Sequence, residues 1–191
     1  MVLNADSTKL EAINEILLAC AQRPIATLGE HLTARQAELL LTQADRRLQT
    51  EGWYFNTETD ITLQVASDEI PLAINVISVD SADASQQYVK RGSRLYNIGE
   101  GTYTFTGDVS NLIVRYRLEW TELPQSARDY LTARVARQLH AVLVGDVATQ
   151  ETLRADEVTA RAELMLEDAE QSDKTAAPSR YDFREEGSIR Y

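Results

Sequence analysis

Cysteine is nearly absent from this 191-residue chain, and histidine is scarce. The single Cys20 cannot close an internal disulfide, so nothing calls for an oxidising compartment. His31 and His140 offer no pair at ligand spacing, and a zinc site would need Cys20 to join both. No run approaches the ~18 consecutive apolar residues of a membrane span. No basic stretch precedes an apolar one at the N-terminus, where Asp6, Lys9 and Glu11 fall in the first turns. The expectation is a chain made and folded in a cytoplasm, with no membrane partner. Positive charge is also short: 19 Lys and Arg stand against 30 Asp and Glu, a net charge of −11. Tight general binding of nucleic acid uses lysines and arginines that release counterions from phosphate, and here the balance runs the other way. Such a charge suits a protein that DNA must pass without sticking, and it equally suits plain solubility.

Signatures of chemistry are missing as well. No Gly-x-Ser-x-Gly elbow occurs, and Gly99, Gly101 and Gly107 match neither a dinucleotide fingerprint nor a P-loop. Asp80, Asp83 and Ser85 resemble the start of a calcium loop, but Ala82 and Ala84 stand where ligands are needed. His140 borders an apolar helical stripe as a hydrogen-bonded boundary residue, and His31 lies in a loop ahead of a cap. Carboxylates are plentiful, so some pair will lie at glycosidase separation in any fold, yet nothing selects one. The reading is no enzyme, with no catalytic residue, metal or cofactor.

What is present is the pattern of a globular α+β protein, with 43% hydrophobic and 26% charged residues. A capping box, Thr8 with Glu11, opens a helix whose apolar face is Leu10, Ile13, Ile16, Leu17 and Cys20, ending at Pro24. A second box, Thr33 with Gln36, opens a helix with Leu40, Leu41, Ala44 and Leu48 inward. Arg35, Glu38, Asp45, Arg46 and Gln49 take its wet side, and Gly52 stops it. From Trp53 the period changes to 2: Ile61, Leu63 and Val65, then Ile70, Leu72, Ile74 and Val76, with a change of face at Ile77 and Val79. The last strand puts Leu112, Val114, Tyr116, Leu118 and Trp120 on one face and Arg115, Arg117 and Glu119 on the other. An antiparallel meander with one dry side is expected. Pro124 then starts a third helix with Leu131, Val135, Leu139 and Val142 inward, ended by Gly145. A fourth, from Ala148 to Gln171, points Leu153, Val158, Ala162, Met165 and Ala169 inward and keeps an acidic surface. The expected architecture is mainly a helical bundle (1–52 and 124–171), an inserted antiparallel β-sheet region (53–123) and an extended C-terminal arm (172–191).

Two sets of residues are candidates for an interface. Arg115 and Arg117 share a strand face, and Arg128, Arg134 and Arg137 follow on the third helix. Arginine's planar fork matches carboxylates, so this patch could meet an acidic neighbour or pair internally with the fourth helix. In the arm, Tyr181, Phe183, Ile189 and Tyr191 are spaced through a polar tail without a period. They read either as anchors that order on a partner or as incidental apolar side chains, three of them aromatic, in a loose end.

These residues, taken in order, resemble a known family. The segments are Ile13-Asn14-Glu15-Ile16-Leu17, Arg23-Pro24-Ile25-Ala26-Thr27-Leu28 and Gly52-Trp53-Tyr54-Phe55-Asn56 followed by Ile61-Thr62-Leu63. Tyr88-Val89-Lys90-Arg91-Gly92 with Tyr96-Asn97 follows, then Leu123-Pro124 through Arg128, Tyr130 and Ala136-Arg137-Gln138. Together they are similar to the tail tubular protein A group, head-to-tail adaptors of short-tailed, podovirus-type bacteriophages. The resemblance weakens between Gln64 and Gln87 and after Ser172. It implies a helical bundle with an inserted β region, a structural protein of the virion. It further implies a dodecameric ring below the portal protein, a tail nozzle protein on the far side, and DNA passing through the lumen without specific binding. Synthesis in the host cytoplasm is expected. An alternative from another class is a virion-associated peptidoglycan or capsule hydrolase using paired carboxylates. A DNA-binding module is disfavoured by the net charge.

Overall fold

The computed structural model of the chain describes residues 6–176. Helix α1 (Lys9–Ala19) is held by the expected capping box: the Thr8 hydroxyl accepts from Glu11 N at 3.2 Å and the Glu11 carboxylate accepts from Thr8 N at 2.7 Å. It stops before Pro24. Ala21 takes the left-handed conformation (φ 55), Gln22 N donates to Leu17 O and Ala21 N to Leu18 O, which is a Schellman stop made without glycine. Helix α2 (Leu32–Glu51) starts earlier than the Thr33 box implies, because His31 is the cap: its Nδ1 accepts from Ala34 N at 3.3 Å. An imidazole nitrogen serves here where a hydroxyl was expected. Gly52 turns the chain out of α2 at φ +82. The positive φ calls for glycine, and a Cβ at Gly52 would come within 2.4 Å of Arg115 Nε and displace that side chain.

Helices α3 (Gln125–Leu143) and α4 (Val147–Ala176) complete the bundle. Pro124 is the residue before α3, at φ −64. α1 and α3 begin side by side, where Ser7 N donates to Gln125 Oε1 at 2.8 Å and Trp120 Nε1 donates to Ser7 O at 3.1 Å. α3 packs against α1, α2 and α4. Ile13, Ile16, Leu17, Leu41, Leu48, Leu131, Leu139 and Leu164 are all essentially inaccessible in one cluster. Val142 does not join them and is 80% exposed. α3 has 19 residues and α1 has 11, so its last turn outruns the helix beside which it started. α4 also departs from expectation, since Val158 and Met165 face solvent while Ala160 and Leu164 are buried. It continues five residues past Gln171, because adding residues to a formed helix costs far less than starting one.

The five strands are β1 (Thr57–Leu63), β2 (Val76–Ser81), β3 (Tyr88–Arg91), β4 (Arg94–Asn97) and β5 (Val109–Tyr116). They do not form a meander. β5 lies between β1 and β2, antiparallel to both, and β3–β4 is a separate hairpin turning at Gly92 (φ 64). A central position for β5 follows from its composition, the most regular alternation in the region, with Leu112 and Val114 fully buried. Residues 64–75 are not a strand. Ser67 and Asp68, both with positive φ, make a two-residue turn in which Ala66 and Glu69 exchange backbone hydrogen bonds, and Ile74 is fully exposed. The β1–β5 ladder is broken by register shifts near Asp60 and Asn111, two left-handed residues of the types that tolerate it. A second core of Ile70, Leu72, Val76, Val79, Leu95 and Leu112, with three further residues, lies under these strands. β5 ends at Tyr116, and Leu118 and Trp120 pack on the helical cluster instead.

Candidate assembly surface

The two cores meet at a buried polar junction. Gln49, expected on the wet side of α2, is fully buried; its amide donates to Asp45 Oδ1 and Leu118 O and accepts from Leu118 N at 2.7 Å. Asn56 is 2% exposed. Its amide donates to Gln49 O at 2.8 Å and Tyr116 O at 3.0 Å, while its oxygen accepts from Trp53 N at 2.8 Å. These two amides satisfy backbone groups on α2, the Trp53 turn and β5 at once, which an apolar side chain could not do. In the sequence Asn56 is visible only as the last residue of Gly52-Trp53-Tyr54-Phe55-Asn56, and Gln49 carries no signal.

The predicted arginines are spread around this junction and along α3. Arg117 pairs with Asp45 at 2.9 Å, whose carboxyl is raised by burial against the opposing pull of Gln49 and Arg117. Arg128 is 3% exposed and donates to Ser7 O and Thr121 O, each at 3.1 Å. Arg137 and Arg134 both engage Glu157 of α4, and Arg134 also donates to the Tyr130 hydroxyl. Arg115 differs from the other four. It makes no ion pair among the described residues and lines an open cleft of about 450 Å³ with Tyr54, Thr57, Asp168 and Ser172, while its Nε, like that of Arg128, is buried without a hydrogen bond.

Several α4 acids turn inward rather than coating a solvated face. Glu167 accepts from the Tyr54 hydroxyl at 2.6 Å and from Ser126, and Asp168 accepts from Tyr54 N at 2.8 Å. Burial, then Glu167, push the Tyr54 phenol well above the ordinary tyrosine range, so it remains the donor. His140 is buried on α3, where the Gln150 amide meets its Nδ1 at 2.8 Å. Glu15 has its carboxyl raised by burial and by Asp129. Among the described residues no group of His, Cys, Asp or Glu could hold a metal ion, and no helix is long and apolar enough to cross a membrane. Tyr181, Phe183, Ile189 and Tyr191 lie outside the described residues.

What remains on the surface is suited to contact with other macromolecules. Leu32, Leu39, Val142, Val147, Val158 and Leu166 are each more than half exposed. A helical bundle with a β insertion, Arg117, Arg134 and Arg137 paired between elements and its spare aliphatics outside, is the build of a subunit that assembles. The model of the tail tubular protein family matches residues 10–174, and the chain belongs to that family. It is a structural component of a phage tail. A search of curated proteins gave no match.

Proposed function

We propose that the chain is the ring-forming adaptor of a short-tailed phage, which joins the portal to the tail nozzle and lines the DNA passage. The observation that carries this reading is the extent of the family match. Residues 10–174 take in almost all of the four helices and all five strands, so bundle and insertion belong together to the tail component. Its mechanism is assembly: each copy buries unlike surfaces against two neighbours, and a repeated heterologous contact closes into a ring when the rotation per subunit fits. The net charge of −11 keeps a passing polyanion from adhering. Beyond Ala176, the aromatics Tyr181, Phe183 and Tyr191, with the aliphatic Ile189, serve as anchors on the portal.

Purified protein mixed with portal rings and sedimented tests this directly. The full-length chain is expected to co-sediment, and a chain lacking residues 177–191 is expected to bind more weakly while keeping its melting temperature. Equal binding by both would remove the arm from the interface. Failure of the full-length chain to bind portal would remove the adaptor assignment.

A further inference from the structure

Helix α4 carries two apolar stripes, and the folded chain buries one of them. Leu153, Ala160 and Leu164 pack toward α3. The other stripe, Ala155, Val158, Ala162, Met165 and Ala169, repeats at intervals of three and four on the opposite side of the same helix. Val158, Met165 and the adjacent Leu166 are 62%, 56% and 62% exposed. Glu163 and Glu170 run alongside, both exposed, and Glu163 makes no ion pair among the described residues. A helix with a sustained apolar period on its wet side has a second element to meet.

The outer face of α2 is its chemical counterpart. Leu32 and Leu39 are 73% and 59% exposed there. Arg35, Arg46 and Arg47 share the face, all exposed, and Arg46 and Arg47 have no ion pair among the described residues. Glu38 and Asp45 sit toward the inner side of the helix, so no acid interrupts this basic strip. In a chain of net charge −11 that is a local reversal of sign. The lengths agree as well: at about 1.5 Å per residue, the stripe from Ala155 to Ala169 and the face from Leu32 to Arg47 each run about 20 Å.

We infer that the outer face of α4 docks on the outer face of α2 of a second copy of this chain. The inference rests on the ring-forming reading and names the surfaces that make the ring. Aliphatic residues meet aliphatic residues, and the acidic edge of Glu163 and Glu170 lies toward the basic strip of Arg35, Arg46 and Arg47. Pairing of α4 with α4 is disfavoured because it sets acid against acid. The two faces are different surfaces of one chain, so the contact is heterologous and continues from copy to copy.

Charge exchange tests this on the full-length protein, by sedimentation velocity and negative-stain imaging. Chain one carries Arg46→Glu and Arg47→Glu; chain two carries Glu163→Lys and Glu170→Lys. All four sites are exposed, so circular dichroism and melting should match the original chain. Each variant alone is expected to self-associate at least about tenfold more weakly, through like-charge repulsion. An equimolar mixture of the two is expected to recover rings, because every contact in an alternating ring is again acid on base. A chain with all four changes should recover them too. If the original chain forms rings and the separate variants form them equally well, the α2–α4 contact is wrong and the ring reading stands. In that case the two faces serve the portal, the nozzle or DNA. If the original chain stays monomeric at every concentration, both readings fall. Loss in the variants without recovery in the mixture would also overturn the pairing.

Discussion

The helical bundle and the β insertion solve the same problem with unequal means. The bundle gathers twenty buried residues of the described chain into one cluster around α3, while the insertion relies on nine. The larger cluster is made of contacts along continuous helices. The smaller is assembled across turns, three breaks of register and a hairpin outside the three-stranded sheet. Between them stand Gln49 and Asn56, which join the parts by hydrogen bonds with fixed geometry rather than by apolar area. The difference teaches that the bundle sets the stability of the chain, and the junction sets how the insertion is presented.

The most severe way to break that asymmetry is Leu131→Ala at the fully buried centre of α3. It is expected to cost about 2–5 kcal/mol. Amide exchange should then quicken in both parts, whereas Leu112→Ala should quicken it in β1, β2 and β5 and leave α3 protected. Similar losses in α3 from both substitutions would show one cooperative core. Asn56→Ala comes next. It leaves Gln49 O and Trp53 N without this partner in a buried site, for a loss of about 1–3 kcal/mol by denaturant titration. An unchanged midpoint would mean that water replaces the amide and the junction is not a lock.

Glu157→Gln probes the bundle alone. Glu157 serves both Arg134 and Arg137 and is mostly buried, so its loss should lower stability by about 1 kcal/mol, less at high salt. A salt-independent effect would point to packing instead. The smallest change is expected from Glu15→Gln. The Glu15 carboxyl is raised by burial and by Asp129, so its charged form is disfavoured in the folded chain. At pH 7 the substitution should stabilise by less than about 1 kcal/mol after solvent screening. That gain should fade as pH falls through the raised value toward the ordinary one, because the native carboxyl then takes up its proton. The same variant bears on the glycan-hydrolase alternative: a reproducible zymogram signal in the original protein that vanished in Glu15→Gln would revive it.

Local chemistry was legible in the residues themselves. The Thr8–Glu11 box, the exit at Gly52 and the change of period after Trp53 depend on neighbours in the chain, and they stand where the spacing put them. Stops and caps with unusual residues were not legible. Ala21 in a Schellman turn, His31 as a cap and Ser67-Asp68 in a hairpin turn take conformations that glycine, threonine or asparagine would have advertised.

The sequence by itself determined the four helices, the place of the β-rich region and that the chain joins them in an α+β fold, because hydrophobic period is a local property. Only the tertiary structure decided which side of each element is inside. α4 has two apolar stripes, and the side that also presents Glu157 and Glu167 to Arg137, Arg134, Tyr54 and Ser126 is the one that packs. Burying those carboxylates against donors on α3 and the Trp53 turn leaves Val158 and Met165 outside, a choice no periodicity within α4 could reveal. Likewise β5 became the central strand, and Arg134 and Arg137 turned to α4, because partners distant in sequence supplied the hydrogen bonds and charges they lacked.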